Sequence, residues 1–244
     1  MRRERNKADR RQRNIITVVI VGVVVALIGT AAWAINKETN KPALPLVAPA
    51  TVNADYGITW DKQAAAGEET PADAVKVVLY EDFQCPACQA FEAANGTFLQ
   101  ESVDKGEIAI EYRPIAFLDP ASTNEYSSRA LNAAMCVLDT TDVKTFHDMY
   151  NLLYANQPKE GGAGHDDATL IGLAEQTGAK NIDPCIADRK FGPWIRKATT
   201  ASSANDISGT PTVLIDGKKV EGAKANSLPA AADLQKAIDA AKKG

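Results

Sequence analysis

The sequence is poor in the residues that hold metals and cofactors. Its 244 residues include only two histidines and four cysteines, and 6% of them are aromatic. The sequence has one C-x-x-C motif, at Cys85 and Cys88. A zinc site would need a second such motif or a Cys/His pair at short spacing. Covalent haem attachment would need a histidine directly after the second cysteine, where this chain has Gln89. Several residues are therefore interpreted as structural, core, capping or solvated residues: His147, His165, Trp60, Trp194, Phe91 and Phe117.

Charge is unevenly distributed along the chain. The net charge is −4 at pH 7, yet residues 1–14 carry seven basic residues against two acidic ones. The rest of the chain is therefore acidic, and we do not expect it to bind nucleic acid, which requires a basic surface. A basic tail of this kind suits an anionic membrane surface.

Residues 15–35 form an uncharged stretch of 21 residues, rich in Val, Ile and Ala. That length suffices for one transmembrane helix. The basic residues before it predict that 1–14 stay in the cytoplasm and that the body lies on the extracytoplasmic side of the cell membrane. A cleaved signal peptide is the alternative, because residues 32–34 resemble a cleavage site. Residues 36–54, polar and with three prolines, are predicted as a linker.

Two cysteines, Cys85 and Cys88, lie where a strand is predicted to end and a helix to begin. The apolar run 75–80 precedes them, and a stretch with helical spacing follows. A helix N-terminus stabilises a thiolate at Cys85, and one helical turn brings Cys88 close enough for a disulfide. The pattern favours a redox-active dithiol, with a zinc site and a structural disulfide as alternatives.

The order of the predicted elements is that of an α/β protein. Strands on either side of a crossover helix should be parallel, and a helical insertion at about 122–204 interrupts the sheet. One domain, 55–244, would contain all of these elements, with the last helix capped by Ser227. The elements are predicted at 57–60 (strand), 75–83 (strand), 85–103 (helix), 107–117 (strand), 127–138, 143–156 and 168–176 (helices), 212–221 (β-hairpin) and 228–242 (helix).

Two motifs flank the predicted insertion. Phe83-Gln84-Cys85-Pro86-Ala87-Cys88 precedes it, and Gly209-Thr210-Pro211-Thr212-Val213 follows it. Together with an N-terminus that directs export, they resemble the DsbA-like thiol-disulfide oxidoreductases of the thioredoxin superfamily over about residues 57–242. The resemblance implies a thioredoxin-like fold and a cis Pro211 beside the Cys pair. It also implies that the backbone of Thr210 pairs with an extended substrate chain.

The chain departs from the family pattern at two positions. Strongly oxidising members often have histidine as the second residue between the cysteines, where this chain has Ala87. Many relatives have an acid six residues before the first cysteine, and that position is Leu79 here. The nearby acids Glu81 and Glu111 are expected to be exposed strand-end or sheet residues rather than replacements for it.

The remaining cysteines, Cys136 and Cys185, stand alone in the sequence. In an exported chain with one pair left over, a structural disulfide between them is expected, closing a loop of about 50 residues. Two separate buried thiols are the alternative.

These observations predict a membrane-tethered enzyme that introduces disulfides into exported, cysteine-containing proteins by exchange at Cys85 and Cys88. No metal or organic cofactor is implied. The family resemblance implies a membrane partner of the DsbB or VKOR type that reoxidises the pair. An envelope reductase or isomerase, and a non-catalytic tethered binding module, are the alternatives.

Overall fold

The computed structural model describes residues 19–20, 22–33, 44–225 and 227–243. The chain divides into two units, Met1–Ala43 and Leu44–Gly244. In the first unit the described residues are helical. No helix among the described residues is both long enough and apolar enough to cross a membrane. The predicted tail, and parts of the predicted span and linker, lie outside the described residues.

A five-stranded mixed sheet forms the centre of the second unit. Its strands are β1 (Ile58–Trp60), β2 (Val75–Glu81), β3 (Ile108–Pro114), β4 (Thr212–Ile215) and β5 (Lys218–Lys219). The spatial order is β1-β3-β2-β4-β5. β2 and β3 are parallel, which confirms the predicted crossover unit. β1, β4 and β5 each pair antiparallel with a neighbour, so the C-terminal hairpin extends the sheet from β2.

Eight helices among the described residues of this unit surround and interrupt the sheet. The insertion predicted at 122–204 is helical, because its apolar residues recur at helical spacing and pack on the core. The helices are α1 (Lys62–Ala65), α2 (Pro86–Asp104), α3 (Tyr126–Thr140), α4 (Val143–Ala155), α5 (Asp167–Gln176), α6 (Asp183–Ala187), α7 (Gly192–Ala204) and α8 (Ala231–Ala241), with a 3₁₀ turn at Asp119–Ala121.

The predicted start of the last helix is wrong by three residues. α8 begins at Ala231, and its N-cap is Ala230 rather than Ser227. The Ser227 hydroxyl instead donates to the carbonyl of Lys224, over 2.8 Å. The carboxylate of Asp233 accepts from the backbone N–H of Ala230, so an acid in the first turn satisfies the helix start.

The large aromatic side chains form much of the core. Trp60, Trp194 and Phe91 are buried, which confirms their interpretation as core residues, and Phe117 is partly buried against a second apolar cluster. Contacts with the body begin within the predicted linker. The backbone N–H of Ala50, for example, donates to Asp139 over 3.2 Å.

Candidate active site

The cysteine pair lies at the junction that the sequence predicts. β2 ends at Glu81, and Cys85 is the N-cap of α2, with extended backbone angles. Pro86 occupies the first turn, where a missing N–H leaves no helical hydrogen bond unmade. Both cysteines are free thiols; Cys85 is 8% exposed and Cys88 is 0% exposed.

The surroundings of Cys85 favour its thiolate. The hydrogen bond from the Cys88 thiol is the largest influence, and it lowers the pKa of Cys85 to about 6 against the opposing effect of burial. The Thr210 side chain and the backbone N–H groups of Ala87 and Cys88 act in the same direction. The last two belong to the first turn of α2, so the helix N-terminus contributes as predicted.

Cys88 has the opposite surroundings. Burial raises the pKa of its thiol far above the ordinary value, and its hydrogen bond to Cys85 and the negative charge of Glu81 add to this effect. At neutral pH Cys88 is therefore protonated while Cys85 is largely ionised. One sulfur is prepared to attack or leave as a thiolate, and the other must gain or lose a proton as the pair is reduced or oxidised.

The second motif lies beside the first. The Thr210–Pro211 peptide bond is cis. The sulfur of Cys85 lies 3.4 Å from the backbone carbonyl oxygen of Thr210, although 125 residues separate the two in sequence. β4 begins at Thr212 and pairs with β2, which fixes this loop next to the start of α2. The structure thus brings Cys85, Cys88, Thr210 and Pro211 together.

The expectation that Glu81 is exposed is wrong. Its side chain is 1% exposed, because α4 covers the end of β2 and the Tyr150 hydroxyl donates a hydrogen bond to its carboxyl group. The same hydroxyl lies 3.1 Å from Oε1 of Glu92, one of the α2 residues. Burial, followed by the nearby Glu92, raises the pKa of Glu81, and burial raises the pKa of Glu92 to about 7. The Tyr150 hydroxyl thus lies between two carboxyl groups whose pKa values are both raised.

Glu111 is also buried, at 2% exposure, so the expectation of an exposed sheet residue is wrong here too. Its partners differ from those of Glu81. Burial alone would raise the pKa of Glu111, but hydrogen bonds and charge from Lys76 and Arg113 hold it below its usual value. Lys76 Nζ lies 2.8 Å from its carboxylate. Glu111 is thus a charged, ion-paired group and not a proton donor.

Asp82 fixes the loop before the cysteines. Its fully buried carboxylate accepts hydrogen bonds from the hydroxyl of Ser127 over 2.6 Å and from the backbone N–H groups of Gln84 and Leu118 over 2.8 and 2.9 Å. Burial raises the pKa of Asp82 to about 6, although these donors favour its ionised form. One side chain thereby joins the active-site loop to the first turn of α3.

Glutamine side chains tie the end of α4 and the loop after it to the cysteine motif and the start of α2. Gln157 Nε2 donates to the backbone carbonyl of Cys85 over 3.0 Å, and Gln84 Nε2 donates to the carbonyl of Lys159 over 3.3 Å. Gln89 Nε2 donates to the carbonyl of Tyr154 over 2.8 Å. The helical insertion therefore supplies one wall of the site.

Cys136 and Cys185 form a disulfide within the insertion, between α3 and α6. Asn132 supports it, since its amide lies 3.7 Å from the sulfur of Cys136 and donates to the carbonyl of Cys185 over 3.2 Å. In the part of the chain that the structure describes, no three His, Cys, Asp or Glu residues are grouped so that they could hold a metal ion.

Several residues that build the site were not predicted from the sequence. Glu92 had a usable signal, because it follows Cys88 by four positions and so shares its face of α2. Tyr150 and Gln157 come from the insertion, more than 60 residues away. Nothing local in the sequence indicates that they approach Cys85 or Glu81.

The comparisons with known proteins agree with this geometry. The thioredoxin family model named Thioredoxin_4 matches residues 62–240. DsbA of Mycobacterium tuberculosis in its oxidised form is 32% identical, with a TM-score of 0.59 over 72% of this chain and 91% of that chain. Probable disulfide bond formation protein D of Bacillus anthracis is 22% identical over 91% of this chain and 93% of its own length.

A different kind of relative matches only in part. Serine/threonine-protein kinase PknE of Mycobacterium tuberculosis is 34% identical over 145 residues, which are 56% of this chain and 25% of the kinase. The chain thus spans about a quarter of the length of that relative. The family model covers the cysteine pair, the insertion and the cis-proline loop together. This chain therefore belongs to the thioredoxin family and, within it, to the DsbA-like thiol-disulfide oxidoreductases.

Proposed function

We propose that the protein is an extracytoplasmic oxidase that introduces disulfides into exported proteins. The observation that carries this proposal is the low pKa of Cys85, about 6 against an ordinary value of 9.0. A stabilised thiolate favours the reduced state of the pair, so the disulfide state is a stronger oxidant. A strongly oxidising disulfide favours transfer of the disulfide from the enzyme to a substrate.

The reaction begins with the pair oxidised. A substrate thiolate attacks the sulfur of Cys85, a mixed disulfide forms, and Cys88 leaves with the electron pair of the broken S–S bond and takes up a proton. A second substrate thiolate then attacks the substrate sulfur of the mixed disulfide, and Cys85 leaves as a thiolate. The substrate is oxidised by two electrons, and the enzyme is reduced by the same two.

Proton delivery to Cys88 is the natural role of the buried acids. Leu79 occupies the position at which many relatives have an acid, but Glu81 lies close enough for its charge to raise the pKa of Cys88. Burial raises the pKa of its carboxyl group, so Glu81 holds a proton more readily than an exposed glutamate does. We assign it the role of proton donor in the first step, and of acceptor when the pair is reoxidised.

Thr210 is the proposed contact for the substrate backbone. Its carbonyl lies beside Cys85, so a chain whose cysteine reacts there would pair with it as an extra extended strand. Such pairing recognises backbone rather than side-chain identity, which suits an enzyme with many substrates. Pro211 has no N–H and keeps that path free of a competing donor.

Tethering and reoxidation complete the proposal. The uncharged residues 15–35 behind a basic tail support one membrane anchor, with the catalytic domain outside the cytoplasm. The Cys136–Cys185 disulfide supports an oxidising compartment. Reoxidation would then come from a membrane protein of the DsbB or VKOR type. Membrane fractionation of the full chain tests the anchor: recovery of a soluble form beginning near residue 36 would contradict it.

The decisive experiment is the reduction potential of Cys85–Cys88, measured by equilibration with glutathione. A value of about −120 mV is expected for an oxidase, whereas a value of about −270 mV would identify a reductase. Cys88→Ala should trap substrates on Cys85 as adducts that thiols release. A folded, abundant Cys88→Ala protein without such adducts would favour a non-catalytic binding module.

A further inference from the structure

A groove runs along α2 on the side that faces α4. It has a volume of about 720 Å³ and extends from Pro86 and Ala155 at one end to Gln100 and Glu101 at the other. Those ends are fifteen residues apart on α2, or roughly 22 Å at the rise of an α-helix. The groove is therefore long enough for about six residues of extended chain, which suits a polypeptide better than a compact small molecule.

Small residues of α2 create the space. Ala90, Ala93 and Gly96 lie on the lining side of the helix, while Leu99 and Ile110 supply apolar surface. A Cβ placed at Gly96 would meet only Oε2 of Glu92, at 3.5 Å. That oxygen lies beside Gly96, another lining residue, whereas Oε1 of the same residue faces Tyr150. A carboxylate oxygen is thus presented in a half-buried, partly apolar setting.

The charge of the lining has one sign. It includes Glu92 and Glu101 but neither lysine nor arginine among the described residues. The only histidine of that lining is His147, whose pKa is lowered to about 4 by burial, so it is neutral at pH 7. Glu101 is exposed and lies 3.9 Å from Lys105, which compensates its charge. Burial raises the pKa of Glu92 to about 7, so a basic side chain placed beside it would favour its ionised form and pair with it.

The groove starts next to the nucleophile. Pro86, which lines one end, directly follows Cys85 in sequence. Seven residues of helix separate Cys85 from Glu92, or about 10 Å along the axis. An extended chain covers that distance in about three residues. A polypeptide with its cysteine at Cys85 can thus place a side chain at Glu92.

We propose that this groove is a second substrate-binding subsite, and that it selects polypeptides with an arginine or lysine about three residues from the reacting cysteine. The basic side chain pairs with Oε2 of Glu92, and its aliphatic part lies against the small residues of α2. This inference rests on the proposed function, since it names a substrate preference for the same exchange. Backbone pairing at Thr210 admits any sequence, and the groove adds selectivity.

The test uses peptides with one cysteine and either Arg or Gln three residues away, on the N-terminal side in one pair and on the C-terminal side in another. The rate of mixed-disulfide formation with the oxidised protein should be about three- to tenfold higher for Arg than for Gln on one of the two sides, as for one partly buried ion pair. Glu92→Gln should bring that ratio to about one. Glu101→Gln, a matched change on the same helix, should preserve it.

A steric variant keeps the test decisive if Glu92→Gln fails to fold. Gly96→Leu fills the middle of the groove and should also remove the Arg preference, whereas Gly96→Ala should retain it because the added Cβ makes only ordinary contact. Equal rates for Arg and Gln peptides on both sides would overturn the inference. A preference that survives in Gly96→Leu or in folded Glu92→Gln would overturn it equally.

Peptides that cannot react distinguish failure of the subsite from failure of the proposed oxidase function. Peptides in which serine replaces the cysteine cannot form a disulfide, but they can still occupy the groove. Fluorescence anisotropy should show tighter binding of the Arg peptide than of the Gln peptide, with the same dependence on Glu92. If exchange is absent while this preference remains, the oxidase proposal fails and the subsite stands. If exchange proceeds without any Arg preference in binding or rate, the subsite fails alone.

Discussion

The molecule contains two pairs of cysteines in contrasting surroundings. Cys85 and Cys88 lie at the start of a helix, beside a loop carbonyl, helical N–H groups and two buried carboxyl groups. Cys136 and Cys185 lie between helices of the insertion, where an asparagine amide is the polar contact at the sulfur of Cys136. The difference teaches that the groups around a cysteine pair, rather than the S–S bond itself, decide whether it exchanges or stays closed.

The largest expected effect is loss of turnover on replacement of the nucleophile. Cys85→Ala should abolish disulfide transfer to a reduced substrate, because no other sulfur of the site is accessible. Its free energy of unfolding at neutral pH should fall relative to the reduced wild type, because the stabilised thiolate of Cys85 is lost. Transfer is measured by the regain of activity of a reduced, disulfide-dependent enzyme. Substantial transfer by the variant would assign exchange to the other pair.

The opposite pattern is expected for the other pair. Cys136→Ala with Cys185→Ala should lower the free energy of unfolding by about 3–4 kcal/mol, because the disulfide closes a loop with a sequence separation of 49 residues. Disulfide transfer under mild conditions should be largely retained. Urea unfolding and the same transfer assay measure the two quantities. A folded variant without transfer would reveal a relay between the two pairs.

The two buried acids near the sheet provide a sharper comparison. Glu81→Gln should slow mixed-disulfide formation by roughly tenfold or more, because Cys88 then leaves without a nearby acid to protonate it. Glu111→Gln, which removes the charge that holds Lys76 and Arg113, should reduce stability but leave this rate within about twofold. Stopped-flow measurement of the reaction with a thiol peptide distinguishes them. Equal slowing by both variants would attribute the effect to the fold.

The smallest effect is a dependence on pH. The pKa of Cys85 in the folded reduced protein is about 6, below the ordinary 9.0, so the thiolate stabilises this form fully above pH 9. That stabilisation is lost as the pH falls through 6. The alkylation rate of Cys85 should therefore rise with a midpoint near pH 6, and the urea midpoint of reduced protein, relative to oxidised protein, should rise from pH 6 towards 9. A midpoint near 9 would contradict the proposed role of the helix end.

Much of the fold was predictable because its signals are local. The strand before Cys85, the helix after it and the hairpin at Asp216-Gly217 all follow from periodicity and turn residues. The start of α8 was not, since Ser227 and Asp233 both offer a cap and only packing selects between them. Whether a stretch forms a helix or a strand is decided by its own residues, whereas the residue at which it begins or ends depends on tertiary packing.

The residues of the active site likewise fall into those that local motifs predict and those that depend on distant contacts. The cysteines, Thr210 and Pro211 were predictable from two motifs, whereas the burial of Glu81 was not. At the end of a strand an acid is normally exposed, and its burial here depends on Tyr150, which is 69 residues away. Residues supplied by the insertion thus complete a site whose reactive atoms are encoded locally.

The carboxylate of Asp82 has a consequence for how the protein opens. It accepts hydrogen bonds from Gln84, Leu118 and Ser127, so fraying of the first turn of α3 would take the Ser127 hydroxyl away from a buried carboxylate. The start of the insertion and the active-site loop should therefore exchange their amide hydrogens as one cooperative unit. A substrate chain that disturbs this loop should therefore also perturb the first turn of α3, so that the insertion responds to events at the cysteine pair.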